Sequence, residues 1–318
     1  MDNSNELAIG IDIGGTNTKW GLVNHRGEIV QKGDLKTEAY PTIEEFIDAL
    51  YETLTPVINE RPNNLVKGIG IGAPNGNFYN GTIEYAPNLH WKGVIRLTEL
   101  VTKKFGLFSA LTNDANAAAV GEMTYGAARG MKDFIMITLG TGVGSGIVAN
   151  GHLIYGHDGF AGELGHTVVV RGGRKHWSTD IVGSLEAYCS ATGIAITARE
   201  MLEQSKEASL LRNYDPKEID SKKVCDCAIQ GDKIAAEVYR FTGQILGEAL
   251  ANFVMFSSPE AIILFGGVIK AGNLIMAPTK EHMEKNLLPI FQNKVRLIFS
   301  ELKEADAAIL GASALVWG

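Results

Sequence analysis

The chain has 318 residues, 45% of them apolar and 20% charged, and carries a formal charge of -7. That length exceeds what one hydrophobic core usually organises, so two domains are expected. The acidic balance provides no basic stripe for nucleic-acid phosphates and no polybasic membrane patch, and no stretch approaches the roughly eighteen apolar residues of a bilayer span, so neither nucleic acid nor membrane is an expected partner.

Residues 7–13 form an Ile-rich apolar run, GGTNT follows as turn chemistry, and 18–24 resumes an extended pattern, so two strands are expected with a third over 28–33. Apolar side chains at helical spacing (Ile43, Phe46, Ile47, Leu50, Leu54) predict a helix over 42–58, and 67–73 reads as a short buried strand. A helix at 94–105, a strand at 107–112 and an alanine-rich helix Ala115–Ala128 close the first half. A similar order then restarts, with a strand at 133–139, the turn GTGVGSG and a strand-like segment at 145–150. Helices are expected at 184–203, 217–229 and 231–256, the last with an apolar stripe from Ile234 to Phe253. A strand at 261–267, a helix, a strand at 294–299 and a final helix from about 304 to 317 complete the chain.

Two glycine-rich turns, each directly after an apolar strand, carry the chemistry. In the first, Gly14, Gly15, Thr16, Asn17 and Lys19 follow Asp12; the second holds Gly140, Thr141 and Gly142. Glycine lets backbone N–H groups converge on an anion and threonine hydroxyls add donors, so each turn can cradle phosphate. A functionless hairpin turn explains one such loop as well, but two in analogous positions argue for a nucleotide. Neither turn matches the dinucleotide fingerprint or the P-loop. Asp12 has few structural reasons to stand in a strand and can orient Mg²⁺ through water. Asp114 stands where a strand ends and a helix begins, which suits either an N-cap or a carboxylate near an acceptor hydroxyl. Gly266-Gly267 leaves bare backbone against which an adenine ring or ribose fits, although a strand-to-helix turn also explains the pair.

Three cysteines, Cys189, Cys225 and Cys227, match no disulfide framework or zinc cluster and point to a reducing compartment. The opening MDNSNELAIGIDIGG has no basic n-region ahead of a long apolar run, so a cytoplasmic location is expected. The six residues before Leu7 are too few for a DNA-binding helix-turn-helix.

GIDIGGTNTKWGLV, TNDANAAAVGE, TLGTGVGSGIV and AGELGH followed by LEAY, in that order, resemble the actin, Hsp70 and sugar-kinase superfamily, and within it the ROK family of bacterial sugar kinases and repressors. The resemblance implies an α/β, two-domain actin-like (ribonuclease H-like) ATPase fold with an interdomain active-site cleft. The small domain would span 1–116 and the large one 117–303, with the helix at about 304–318 packing back on the first. It implies a cytoplasmic enzyme using ATP and Mg²⁺ to phosphorylate a hexose, glucose above others, with Asp114 as the base. Asn88, Asn113, Glu163, His166 and Glu186 would surround the sugar, though a satisfied buried histidine is an alternative for His166. Related kinases are often dimers or tetramers, so a homo-oligomer is expected.

One departure stands out. Most of the family binds a structural zinc through a C-x-C-x(4)-C cluster together with the histidine equivalent to His166, but the matching positions here are Trp177, Thr179 and Ser184, which are poor zinc ligands. Zinc is expected to be absent, with the 171–184 loop held by packing and Trp177 supplying apolar bulk. His176 remains a stray imidazole that does not make a site by itself. The alternatives are a kinase for mannose, fructose, allose or an N-acetylhexosamine (N-acetylmannosamine or N-acetylglucosamine), a non-catalytic sugar-sensing regulator, or an actin-like or chaperone ATPase.

Overall fold

In the computed structural model, which describes residues 5–62 and 65–317, β1 (Leu7–Ile13) is apolar at nearly every position because both faces of its sheet are covered. It hydrogen-bonds antiparallel to β2 (Asn17–Asn24), which pairs with β3 (Ile29–Lys36). The helix α1 (Ile43–Asn59) starts at a capping box, in which the Thr42 hydroxyl accepts from the Glu45 N–H and the Glu45 carboxylate accepts from the Thr42 N–H. Its buried face of Phe46, Ile47, Leu50, Leu54 and Val57 joins the core of sheet residues Ile9, Ile11, Ile69 and Ile71. β4 (Val66–Gly72) then pairs parallel to β1.

Three short strands that alternation does not reveal follow: β5 (Gly76–Asn77), β6 (Thr82–Glu84) and β7 (Val94–Ile95), a small antiparallel sheet. Val94 and Ile95 pair with Glu84 and Ile83, so the helix expected from 94 begins only at Leu97, as α2 (Leu97–Phe105). β8 (Phe108–Thr112) lies parallel to β4, giving the order β3-β2-β1-β4-β8. α3 (Asp114–Tyr125) stops short of Ala128 because the chain folds back on Glu122: the Gly126 and Ala128 N–H groups donate to its carbonyl and the Ala127 N–H to its side chain.

The described chain divides into two units, the first containing Met1–Met131, Gly146–Gly162 and Ser300–Gly318, the second Lys132–Ser145 and Glu163–Phe299. The second unit opens with β9 (Phe134–Leu139) and the start of β10 (Val143–Ala149), whose end returns to the first unit and pairs there with β11 (His152–Leu153). The helix expected over 184–203 is two helices, α4 (Glu186–Cys189) and α5 (Ala191–Gln204). Ser190 between them has extended backbone, and its hydroxyl accepts from the Gly193 N–H as the cap of α5. α6 (Ser221–Ile229) is shorter than the expected 217–229, because Pro216–Glu218 forms a separate 3₁₀ turn and Asp220 caps the helix. The long α7 (Lys233–Ser257) precedes β12 (Ala261–Phe265), α8 (Asn273–Lys285) and β13 (Arg296–Phe299). β9, β12 and β13 run parallel, with β12 in the middle.

The final helix, α9 (Glu304–Ala314), belongs to the first unit and lies on β1 and β4. Glycines in both strands make room for it: a Cβ at Gly10 would fall 2.0 Å from the Ile309 carbonyl oxygen, and one at Gly70 1.8 Å from that of Ala312. No described helix is long and apolar enough to cross a membrane.

Candidate active site

In the first unit, β1, β4 and β8 are parallel, so their carboxyl ends share one edge of the sheet, the edge at which open α/β sheets present ligand-binding groups. Asp12 stands near the end of β1, directly opposite Lys19 on β2. Between them the first glycine turn is closed by the Gly14 N–H donating to the Asn17 carbonyl at 3.0 Å. A Cβ at Gly15 would fall 2.3 Å from the Asn88 carbonyl oxygen, so glycine lets this turn lie against the segment carrying Asn88. Thr16, Asn17, Lys19 and Asn88 are exposed.

Asp114 follows β8 on the same edge. It is the first residue of α3, and the cap is Asn113, whose Oδ1 accepts the Asn116 N–H at 2.7 Å. The capping role open to Asp114 in the sequence therefore belongs to its neighbour, and the Asn113 amide nitrogen is the part of that side chain left to face a ligand. Asp114 Oδ1 accepts the Ala115 N–H at 2.8 Å. Although the residue keeps an open surface, the protein around it withdraws water and pushes its carboxyl above the usual 3.8, against the two backbone hydrogen bonds that lower it. Asp12 is raised to about 6, first by burial and then by the like charge of Asp114, with Lys19 opposing.

The second unit holds the other candidates. Its parallel strands β9 and β12 are neighbours, with Thr138 opposite Phe265, so the turn containing Gly140, Thr141 and Gly142 and the pair Gly266-Gly267 emerge side by side. Gly266 has φ 102°, and a Cβ there would meet the Leu139 carbonyl oxygen at 2.6 Å, so the position excludes a side chain both conformationally and sterically. The second turn is braced from below by the Ala191 N–H donating to the Gly140 carbonyl and the Gly144 N–H donating to the Thr138 hydroxyl.

Glu163, His166 and Glu186 are in the same unit. His166 Nε2 lies 3.8 Å from the Glu163 carboxylate, while its Nδ1 is buried with no hydrogen-bond partner. That unpartnered nitrogen bears on the histidine's reading: His166 is not a satisfied core residue. Glu186, at the start of α4, accepts the Val143 N–H on Oε2 at 2.7 Å, which couples it to the second glycine turn.

The 171–184 loop is held by hydrogen bonds where packing was expected. It forms a hairpin, with the His176 N–H donating to the Ile181 carbonyl and the Gly183 N–H to that of Arg174. Arg174, which sequence reasoning overlooked, fastens it: its guanidinium donates to the carbonyls of Ala187 and Gly193, the Thr197 hydroxyl and the Glu200 carboxylate, and lies over the Tyr188 ring. An arginine in a glycine-rich loop gives no sequence signal, because its acceptors are backbone carbonyls supplied by the fold. Trp177 supplies little buried bulk: it is 45% exposed, and its ring lies tilted against that of His176 with centroids 4.0 Å apart. Among the described residues no three His, Cys, Asp or Glu side chains converge as a metal-binding group.

The profile of the ROK family matches residues 8–318. The chain belongs to the ROK family. It is 36% identical to the glucokinase of Halalkalibacterium halodurans over 98% of this chain and 96% of that protein, and 34% identical to the glucokinase of Thermotoga maritima over 97% and 96%. Among solved structures, the ROK family glucokinase of Streptomyces griseus in complex with glucose and AMPPNP superposes with a TM-score of 0.79 at 32% identity, covering 97% of this chain and 98% of that one. The mixed α/β architecture of this ROK protein is thus that of the family's kinases, the actin-like ATPase fold.

Proposed function

We propose that this ROK protein transfers the γ-phosphoryl group of ATP to a hexose, glucose by preference, yielding the sugar 6-phosphate and ADP. The observation that carries the reading is Asp114, a carboxylate at the carboxyl edge of the first sheet, relieved of capping by Asn113 and raised in pKa by its surroundings. A raised pKa makes a carboxylate a better proton acceptor at neutral pH. Full-length similarity to glucokinases supports glucose as the acceptor.

Asp114 accepts the hydroxyl proton as the oxygen attacks phosphorus, and it orients that hydroxyl beforehand. Glu163 and Glu186 accept hydrogen bonds from sugar hydroxyls, and His166, Asn113 and Asn88 supply complementary groups. The backbone of the two glycine turns holds phosphate oxygens, and Gly266-Gly267 admits the nucleoside. Mg²⁺ fits beside Asp12, where a cation offsets both the burial and the like charge that raise this carboxyl; held through water, it would neutralise phosphate charge. The sugar-type set of Glu163, His166 and Glu186 disfavours an actin-like or chaperone ATPase, which has no use for it.

A coupled ADP-release assay with MgATP against a panel of hexoses and N-acetylhexosamines, run beside Asp114→Ala, tests the proposal. Turnover on glucose that falls by about 10²-fold or more in the variant is the expected result. A folded wild-type protein silent on every sugar would overturn it in favour of a sensor.

A further inference from the structure

The His176 side chain is fully buried, with 0% of its surface exposed, and both ring nitrogens are engaged. Nδ1 faces two backbone donors, the N–H groups of Ser178 and Thr179, each at 3.2 Å. A nitrogen that receives N–H donors must offer a lone pair, so the ring proton is on Nε2. Nε2 is 2.6 Å from Glu186 Oε1 and donates to it. The other oxygen of Glu186 already accepts the Val143 N–H, so the carboxylate is gripped from opposite sides by the 171–184 loop and the second glycine turn. Space around it is tight, since a Cβ on Gly142 would fall 2.5 Å from Oε2. The ring of His176 also meets that of His166 edge-on, with centroids 6.0 Å apart. One imidazole therefore touches two of the three residues assigned to the sugar in this unit.

We propose that His176 is a positioning residue for sugar recognition: it fixes the rotamer of Glu186 and backs His166, so that a hydrogen-bonded imidazole sets the sugar-binding geometry of this chain. The inference rests on the kinase reading of the same site. A hydrogen bond to each oxygen leaves Glu186 only its remaining lone pairs for the sugar, in one orientation. Removing the Nε2 donor frees the carboxylate to rotate about its side-chain torsions, and recognition that depends on hydrogen-bond placement then weakens. Without His176 the N–H groups of Ser178 and Thr179 also lose their acceptor, so a simple deletion loosens the hairpin as well. A pair of variants separates the two effects.

His176→Phe fills the space and removes the donor, whereas His176→Gln restores an amide donor and an acceptor at similar reach. Steady-state kinetics on the full chain, with glucose and ATP varied separately, is the experiment. His176→Phe is expected to raise the glucose KM by at least about tenfold while the ATP KM changes by less than about twofold, and His176→Gln to recover most of the loss. A merely structural role predicts instead a fall in active fraction, with both KM values unchanged. A glucose KM in His176→Phe within about twofold of wild type would overturn the inference while leaving the kinase reading intact. Wild-type protein that phosphorylates no sugar would remove the reading on which it stands.

Discussion

Replacing Arg174 by alanine should open the 171–184 hairpin without unfolding the unit that carries it. The guanidinium side chain is only 11% exposed and donates to three neutral acceptors, the carbonyls of Ala187 and Gly193 and the Thr197 hydroxyl, at 2.5, 3.2 and 3.0 Å. At about 1 kcal/mol net for each such bond they contribute about 3 kcal/mol. Glu200 is about half exposed, so its ion pair adds no more than about 1 kcal/mol despite the short contact. Position over the Tyr188 ring, 4.7 Å from its centroid, adds about 0.5–1 kcal/mol. The total is about 4 kcal/mol, and even three quarters of it corresponds to a change in local opening of about 100-fold. Hydrogen exchange read by mass spectrometry resolves this directly. Amide exchange in 171–184 should rise by about two orders of magnitude in Arg174→Ala, while the amides of β9 in the same unit keep their protection. Exchange in the loop within about threefold of wild type would refute the argument and assign the hairpin's stability to its own backbone bonds.

The pH profile follows from the raised carboxyl of Asp114. A general base works only when unprotonated, so a pKa above 3.8 moves the acid limb of kcat/KM upward, and activity should begin to fall at a higher pH than with an ordinary aspartate as the base. Initial rates with ATP saturating, over the range in which circular dichroism reports folded protein, test this; an acid limb no higher than the 3.8 of an ordinary aspartate would exclude a raised base. Purified protein is expected to contain zinc well below one equivalent by elemental analysis, because Trp177, Thr179 and Ser184 offer no strong ligand and both nitrogens of His176 are already engaged. One zinc per chain would overturn that reading.

The glycine turns, Asp12 and Asp114 were legible from the sequence because each sits where an apolar strand stops, and a strand's end is written in local pattern. The order of the main strands and helices was legible for the same reason, since burial of a strand or of one helical face imposes its period on the residues. The small sheet β5-β6-β7 was not, because strands of two or three residues carry no period. The break at Ser190 was also hidden, since both flanking segments are apolar and only the cap geometry divides them.

What the sequence by itself determined is the set of chemically able residues and their place at strand ends: local hydrophobic period and turn chemistry suffice for that. The tertiary structure decided the use of each one. It made Asn113 rather than Asp114 the cap, raised the carboxyls of Asp114 and Asp12 by burial, that of Asp12 further by the like charge of Asp114, and turned His176 from a stray imidazole into the partner of Glu186. It also put α9 against Gly10 and Gly70, about three hundred and two hundred and forty residues away along the chain. The physical reason is the same in each case: a hydrogen bond, a charge or a close approach depends on distance in space, and local sequence pattern carries no information on distances between residues far apart in the chain.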